Sequence, residues 1–340
     1  MKPYHKLSLI ILFLFIGTKV FSQINGDAKR LVKEGVALND SGKYDEAIDK
    51  YNQAIKIDSR YESAYYEMGF TLFSSGKGKE AIPYLIKVVA LNPQSAGAFD
   101  LLGSIYDDLK DPDKAIDYFK QGIKADSSYQ RLHFNLAITY YRQGKFTDAE
   151  VSAINAIKLD PKHASSQRVY AMATYKEGKR ACSLLGWNSF LLLEPRSKRS
   201  AEALAYIKNI LNYGITKTGE KSITVNVPST DLNSINLGMQ MAVVTACDNK
   251  KNISPADSLT LQLTSVFQII GEQSDKLETP FFSNYYAKYF QKLSISKSMP
   301  AFVRYISLSM YKDENTAWFK RHDDELKDLE KWVSLTKRGF

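Results

Sequence analysis

The chain has 340 residues, 44% of them hydrophobic and 24% charged, which is ordinary globular material with room for two domains. Its formal charge of +9 is spread over both halves without a basic run. No basic stripe interleaved with aromatics is present either, which argues against a nucleic-acid groove.

Residues 1–22 read as a signal peptide. Lys2 and Lys6 precede an apolar run from Leu7 to Ile16, and Val20-Phe21-Ser22 places small or aliphatic residues where a signal peptidase would cut before Gln23. That run is too short for a bilayer core, which needs about 20 apolar residues. With no cysteine at the cut, a lipid anchor is disfavoured. The expectation is a protein exported to the periplasm or secreted, with no stable membrane insertion after cleavage. Loss of Lys2, Lys6 and Lys19 leaves a charge of +6.

From residue 28 onward a small residue recurs every 34 positions, at Gly35, Gly69, Gly103, Ala137 and Ala171. Twelve residues on, in phase, come Ala47, Ala81, Ala115, Ala149 and Ser183. Each period closes on a turn residue: Ser59, Pro93, Ser127, Pro161 and Pro195. Self-similarity of this period marks a stacked solenoid of helical hairpins. Small residues belong where two helices cross closely, and Tyr51, Leu85, Phe119 and Trp187 fill the space around them. Gly42, Gly76, Gly144 and Gly178, each followed by lysine, are glycines able to take the left-handed conformation that ends a first helix. The third unit has Lys110-Asp111-Pro112 there, which reads as a turn made by proline.

These residues resemble the tetratricopeptide repeat family, most clearly at Gly103, Tyr106, Ala115 and Phe119 and at Gly69, Leu72, Ala81 and Pro93. The resemblance covers repeats at 28–61, 62–95, 96–129, 130–163 and 164–197. It implies an all-α right-handed superhelix of about five hairpins that serves as a platform for a peptide or protein partner. The fifth unit departs most, with Ser183, Trp187 and Phe190 in place of smaller residues.

In such a stack the first helix of each unit lines the inner side, and its outward stripe carries residues three to four apart. That stripe gives Tyr66, Phe70 and Phe73; Asp100, Ser104 and Asp107; Arg131, Phe134, Asn135, Ile138 and Tyr141; and Arg168, Met172 and Tyr175. It is aromatic with a few charges, and the rings left exposed would form an interaction patch. The resemblance implies an extended peptide or a partner's helix in that groove. Val32 and Val36 at the inner positions of the first unit argue against a lysine-and-asparagine clamp for a terminal carboxylate.

Beyond Pro195 the repeat is lost. Residues 198–213 read as a capping helix, and 214–230 as a linker holding a short β-prone stretch, Ile223 to Val227. Residues 231–340 read as a helical C-terminal domain of about five helices. Ser254-Pro255-Ala256-Asp257 opens one of them, Thr279-Pro280 and Met299-Pro300 open others, and Glu314 to Lys337 reads as one long charged helix.

No catalytic, cofactor-binding or metal-binding residues are assigned. His133, His163 and His322 have no Cys, Asp or Glu at a convincing ligand spacing, and the run after His322 (Asp323, Asp324, Glu325) reads as a solvated face. Cys182 and Cys247 could form a disulfide after export or stay as small buried hydrophobes. The sequence therefore points to an exported, non-enzymatic adaptor. The alternatives are a structural subunit of an envelope assembly, or an enzyme whose active site lies in the C-terminal helices.

Overall fold

The structure is a computed structural model in which residues 26–217, 223–225, 234–246, 252–276 and 279–340 are described. The expected signal peptide, Cys247 and most of the expected linker lie outside the described residues. The described chain is all-α apart from one β-hairpin, and consecutive helices pack in pairs. It divides into two compact units, up to Thr139 and from Tyr140.

The first unit holds α1 (26–40), α2 (Tyr44–Ile57), α3 (Glu62–Ser74), α4 (Gly78–Leu91), α5 (Ala96–Asp108), α6 (Pro112–Ala125) and most of α7 (Gln130–Arg142). Its packing follows from size alternation at a spacing of 16 residues. A Cβ built on Gly35 would lie 2.4 Å from the Tyr51 ring, one on Gly69 2.7 Å from Leu85, and one on Gly103 2.4 Å from Phe119. Tyr51, Leu85 and Phe119 are buried, as are Ala47, Ala81 and Ala115. Each pair of helices thus closes on a large side chain laid over a bare backbone.

First helices end as the glycines require. Gly42 and Gly76 have φ of 74° and 80°, and the N–H after each reaches back to the helix: Lys43 N–H donates to the Leu38 carbonyl at 2.9 Å, Lys77 N–H to that of Leu72 at 2.8 Å. The third repeat corrects the expectation of a proline turn. Lys110 itself takes the left-handed conformation, with φ of 63°, and Asp111 N–H donates to the Tyr106 carbonyl at 2.9 Å. Pro112 instead starts α6, where its fixed φ suits the first helical position and the Asp111 side chain accepts from Lys114 N–H.

The second unit holds α8 (Phe146–Leu159), α9 (Ala164–Lys176), α10 (Arg180–Leu193) and α11 (Lys198–Leu211), with Ser197 and Ser200 forming a reciprocal cap at the start of α11. The hairpin pairs β1 (Ile215–Lys217) with β2 (Ile223–Val225) antiparallel. There follow α12 (Ser234–Ala246), α13 (Pro255–Gln273), a π-helical stretch Phe282–Ala287 running into α14 (Lys288–Ser294), α15 (Met299–Ile306), α16 (Lys312–Arg321) and α17 (Asp323–Leu335). Helix α10 is buried almost all round, from Arg180 through Leu191, because α12, the π-helical stretch and α15 pack against it as well as α9 and α11. Its Ser183, Trp187 and Phe190 are fully buried. This accounts for their departure from the repeat pattern.

Six α-helices among the described residues follow the hairpin, not five, because the expected long terminal helix is two. The chain breaks at His322, whose φ of −137° and ψ of 52° are not helical. Asp323, Asp324 and Glu325 then occupy the first turn of α17, where carboxylates favour the positive end of a new helix. The His322 ring stacks on Trp318 at 4.3 Å, and its Nδ1 lies 2.9 Å from the Trp318 carbonyl. Among the described residues no group of three His, Cys, Asp or Glu side chains could hold a metal ion.

Candidate partner-binding faces

The stripe expected to face a partner is partly open. Of its residues only Asp100 is buried and only Arg131 is exposed, by about half; the others are half-buried. They are therefore neither core side chains nor a bare surface, and each unit presents its own set.

In the first unit the stripe is organised around Asp100, which is 1% exposed. The Arg131 guanidinium donates to Asp100 Oδ2, 2.6 Å from Nε and 2.5 Å from Nη2. Asn135 Nδ2 donates to the other oxygen at 2.8 Å and lies 3.5 Å from Ser104 Oγ. Burial pushes the Asp100 carboxyl above its ordinary value, with Arg131 and Asn135 holding it down. One turn along α7, the Thr139 hydroxyl lies 3.0 Å from the Asn135 carbonyl and 3.3 Å from Asp107 Oδ1. The polar stripe residues of α5 and α7 are thus linked across the two helices.

Tyr66, Phe70 and Phe73 supply the apolar part of this face. A Cβ on Gly97 would stand 2.9 Å from the Tyr66 hydroxyl, so the ring lies against the start of α5 and needs a glycine there. Burial raises the Tyr66 phenol; Tyr129 adds to the effect and Arg131 opposes it. Arg131 also sits over the Tyr129 ring at 5.9 Å. Phe134 and Ile138 are half-buried on α7.

In the second unit Arg168 and Tyr175 meet α11, Tyr141 lies within electrostatic reach of it, and Met172 is half-buried. Arg168 pairs with Glu202 at 3.0 Å, and Tyr175 packs edge-on against Tyr206 at 4.9 Å. Tyr206 in turn stacks on buried Trp187 at 4.8 Å. Burial raises the Tyr141 phenol, with Tyr206 adding and Arg168 opposing, so these side chains share one environment. Arg168 Nε is buried and has no acceptor among the described residues.

Glu202 and Tyr206 were not among the residues expected from sequence. The signal was present, because they stand 34 positions after Arg168 and Met172. Helix α11 therefore continues the stripe in register at the 34-residue period, and reading it only as a cap hid them. Cys182 is a free thiol that burial pushes up to about 12, so it is inert as a nucleophile.

Residues 35–76 match the family described as TPR repeat, and residues 66–130 and 108–174 match two further families described as tetratricopeptide repeat. Anaphase-promoting complex subunit 3 of Schizosaccharomyces pombe is 24% identical over 94 residues, 28% of this chain and 14% of its own length. The TPR repeat-containing protein MJ1428 of Methanocaldococcus jannaschii is 27% identical over 157 residues, 43% of this chain and 28% of its own. The chain thus spans well under two thirds of the length of these relatives. Among solved structures, YrrB, described as a TPR protein with an unusual peptide-binding site, aligns over 56% of this chain and 97% of its own with 20% identity and a TM-score of 0.46. Three overlapping tetratricopeptide repeat matches thus cover residues 35–174 without a gap.

Proposed function

We propose that this chain is an exported, non-enzymatic adaptor that holds a peptide or helix of a partner protein on the inner faces of its repeats. The observation that supports this best is the state of those faces. Tyr66, Phe70, Phe73, Tyr141, Met172 and Tyr175 are all half-buried, held by neighbouring side chains yet open on one side. Pre-placed aromatics beside arginines are the chemistry of binding hot spots, because they bury much area at low entropic cost and keep polar reach.

The polar ladder of Asp100, Arg131 and Asn135 supports the same reading, since it fixes the guanidinium while leaving it half open to solvent. Arg131 would meet a carboxylate or a backbone carbonyl, and the rings would take apolar side chains spaced along an extended segment. The pattern of residues 1–22 supports export, and with export the partner belongs to the envelope or the outside of the cell. The His322 cluster gives no support to an enzymatic alternative, because its ring is stacked on Trp318 and bonded to that residue's carbonyl.

The test is site-specific photo-crosslinking in the native envelope. A photoreactive residue at Phe70 or Tyr175 is expected to trap one reproducible protein, and one at Lys87 on the opposite helix is not. Equal capture from all three positions would contradict the assignment.

A further inference from the structure

Apart from the repeat faces, the second unit contains a cavity of about 460 Å³ lined by Arg196, Leu308, Ser309, Lys312 and Thr316. We propose that it binds a small phosphate monoester, with the phosphate held by Arg196, Lys312, Ser309 and Thr316.

Charge balance is the first ground. The arginines close by in the fold are satisfied by acids: Arg168 faces Glu202, Arg199 faces Glu194, and Arg304 faces Asp257. Arg196 and Lys312 have no such acid. Neither makes an ion pair, hydrogen bond or ring contact among the described residues, and both are exposed at the rim of the same cavity. Asp313 and Glu314 follow Lys312 on α16 but do not line the cavity. Two cations lining one cavity without an anion repel each other, and this arrangement is stabilised when an anion enters.

The second ground is an unsatisfied donor. Ser309 Oγ is buried and has no hydrogen-bond partner among the described residues. Leaving a buried hydroxyl unpaired is unfavourable, and each such group calls for an explanation. Here the hydroxyl lines the same cavity as the two cations. Thr316, one turn along α16 from Lys312, adds a second hydroxyl with no hydrogen-bond partner among the described residues. Two full charges with two hydroxyl donors suit a group with three or four acceptor oxygens better than a single carboxylate.

Ligand size follows from the space. The cavity exceeds what bare phosphate needs, and Leu308 gives it an apolar wall. A phosphate carrying a small organic body fits both.

Isothermal titration with phenyl phosphate, at fixed ionic strength, tests this on the full chain. Binding is expected, with inorganic phosphate competing and phenol not binding. The double change Arg196→Gln with Lys312→Gln should weaken phenyl phosphate at least tenfold while leaving the circular dichroism spectrum and melting temperature intact, because both side chains are exposed. Ser309→Ala should weaken binding while leaving the unliganded protein as stable as before or more so, which a merely structural hydroxyl would not show. Absence of phenyl phosphate binding to the wild type, or equal binding by the double variant, would overturn the site. Binding of phosphatidate vesicles with neither soluble phosphate bound would overturn the small-molecule assignment.

Discussion

The Phe119 ring lies so close over Gly103 that a Cβ on the glycine would come within 2.4 Å of it. Real Cβ atoms do not approach that closely, and Phe119 is 1% exposed with no room to retreat. Gly103→Ala is therefore expected to cost about 1–3 kcal/mol as an overpacking change. In the double variant Gly103→Ala with Phe119→Ala, the two losses should fall short of their sum, because the second change removes the clash. Chemical denaturation of the four proteins measures this. Strict additivity would show that the two residues do not meet.

The third repeat turns on Lys110, at φ of 63°, where the other four repeats use Gly42, Gly76, Gly144 and Gly178. A side chain in that region costs about 1–2 kcal/mol, and glycine gives back part of the gain through unfolded-chain entropy. Lys110→Gly should therefore raise stability by about 0.5–1 kcal/mol. A fall in melting temperature would contradict the turn described.

Asp100 makes a pH prediction whose sign is unusual for a carboxylate. Burial raises its folded pKa above the ordinary 3.8, so the folded state holds the proton more tightly than the unfolded chain. Stability from this group is greatest at low pH and is lost as pH rises from 3.8 through the raised folded value. Asp100→Asn should remove that downward trend, visible as a difference in slope when unfolding free energy is measured against pH for both proteins. Parallel curves would refute it.

At the far end of the chain Arg338 lies 4.0 Å from the centroid of the Tyr289 ring and 4.9 Å from that of Tyr285, and donates to Ser189 Oγ at 2.8 Å. Phe340 stacks on Tyr285 at 5.1 Å. Arg338→Ala should cost about 1–2 kcal/mol, the range for a partly desolvated cation over aromatic faces. Hydrogen exchange should show the last residues opening first, while the first unit keeps its protection. Unchanged exchange at residues 336–340 would mean the contacts do not hold the tail.

The repeats were legible because one physical constraint recurs five times. Close helix crossing demands a small residue, and a 34-residue period exposes that demand in the letters themselves. The stripe's register follows from the same period, and its continuation to Glu202 and Tyr206 was in register but stood outside the counted units. What the sequence hid are features without periodicity. The burial of Asp100 depends on what Arg131 and Asn135 do 31 and 35 residues away. The break at His322 offers no proline or glycine, and the ring cluster around Arg338 is assembled from segments about 50 residues apart or more.

The most direct test of the adaptor reading is the affinity of the partner trapped by crosslinking, measured for wild type and variants. Tyr141 and Arg168 share the environment of Glu202 and Tyr206, and losing both should remove about 2.7 kcal/mol, a hundredfold in Kd. The account predicts that Tyr141→Ala with Arg168→Ala weakens the partner at least a hundredfold with the helical spectrum unchanged, while Lys87→Ala with Lys124→Ala leaves Kd within twofold. Full affinity in the Tyr141 and Arg168 variant, with binding abolished by deletion of residues 231–340, would contradict it.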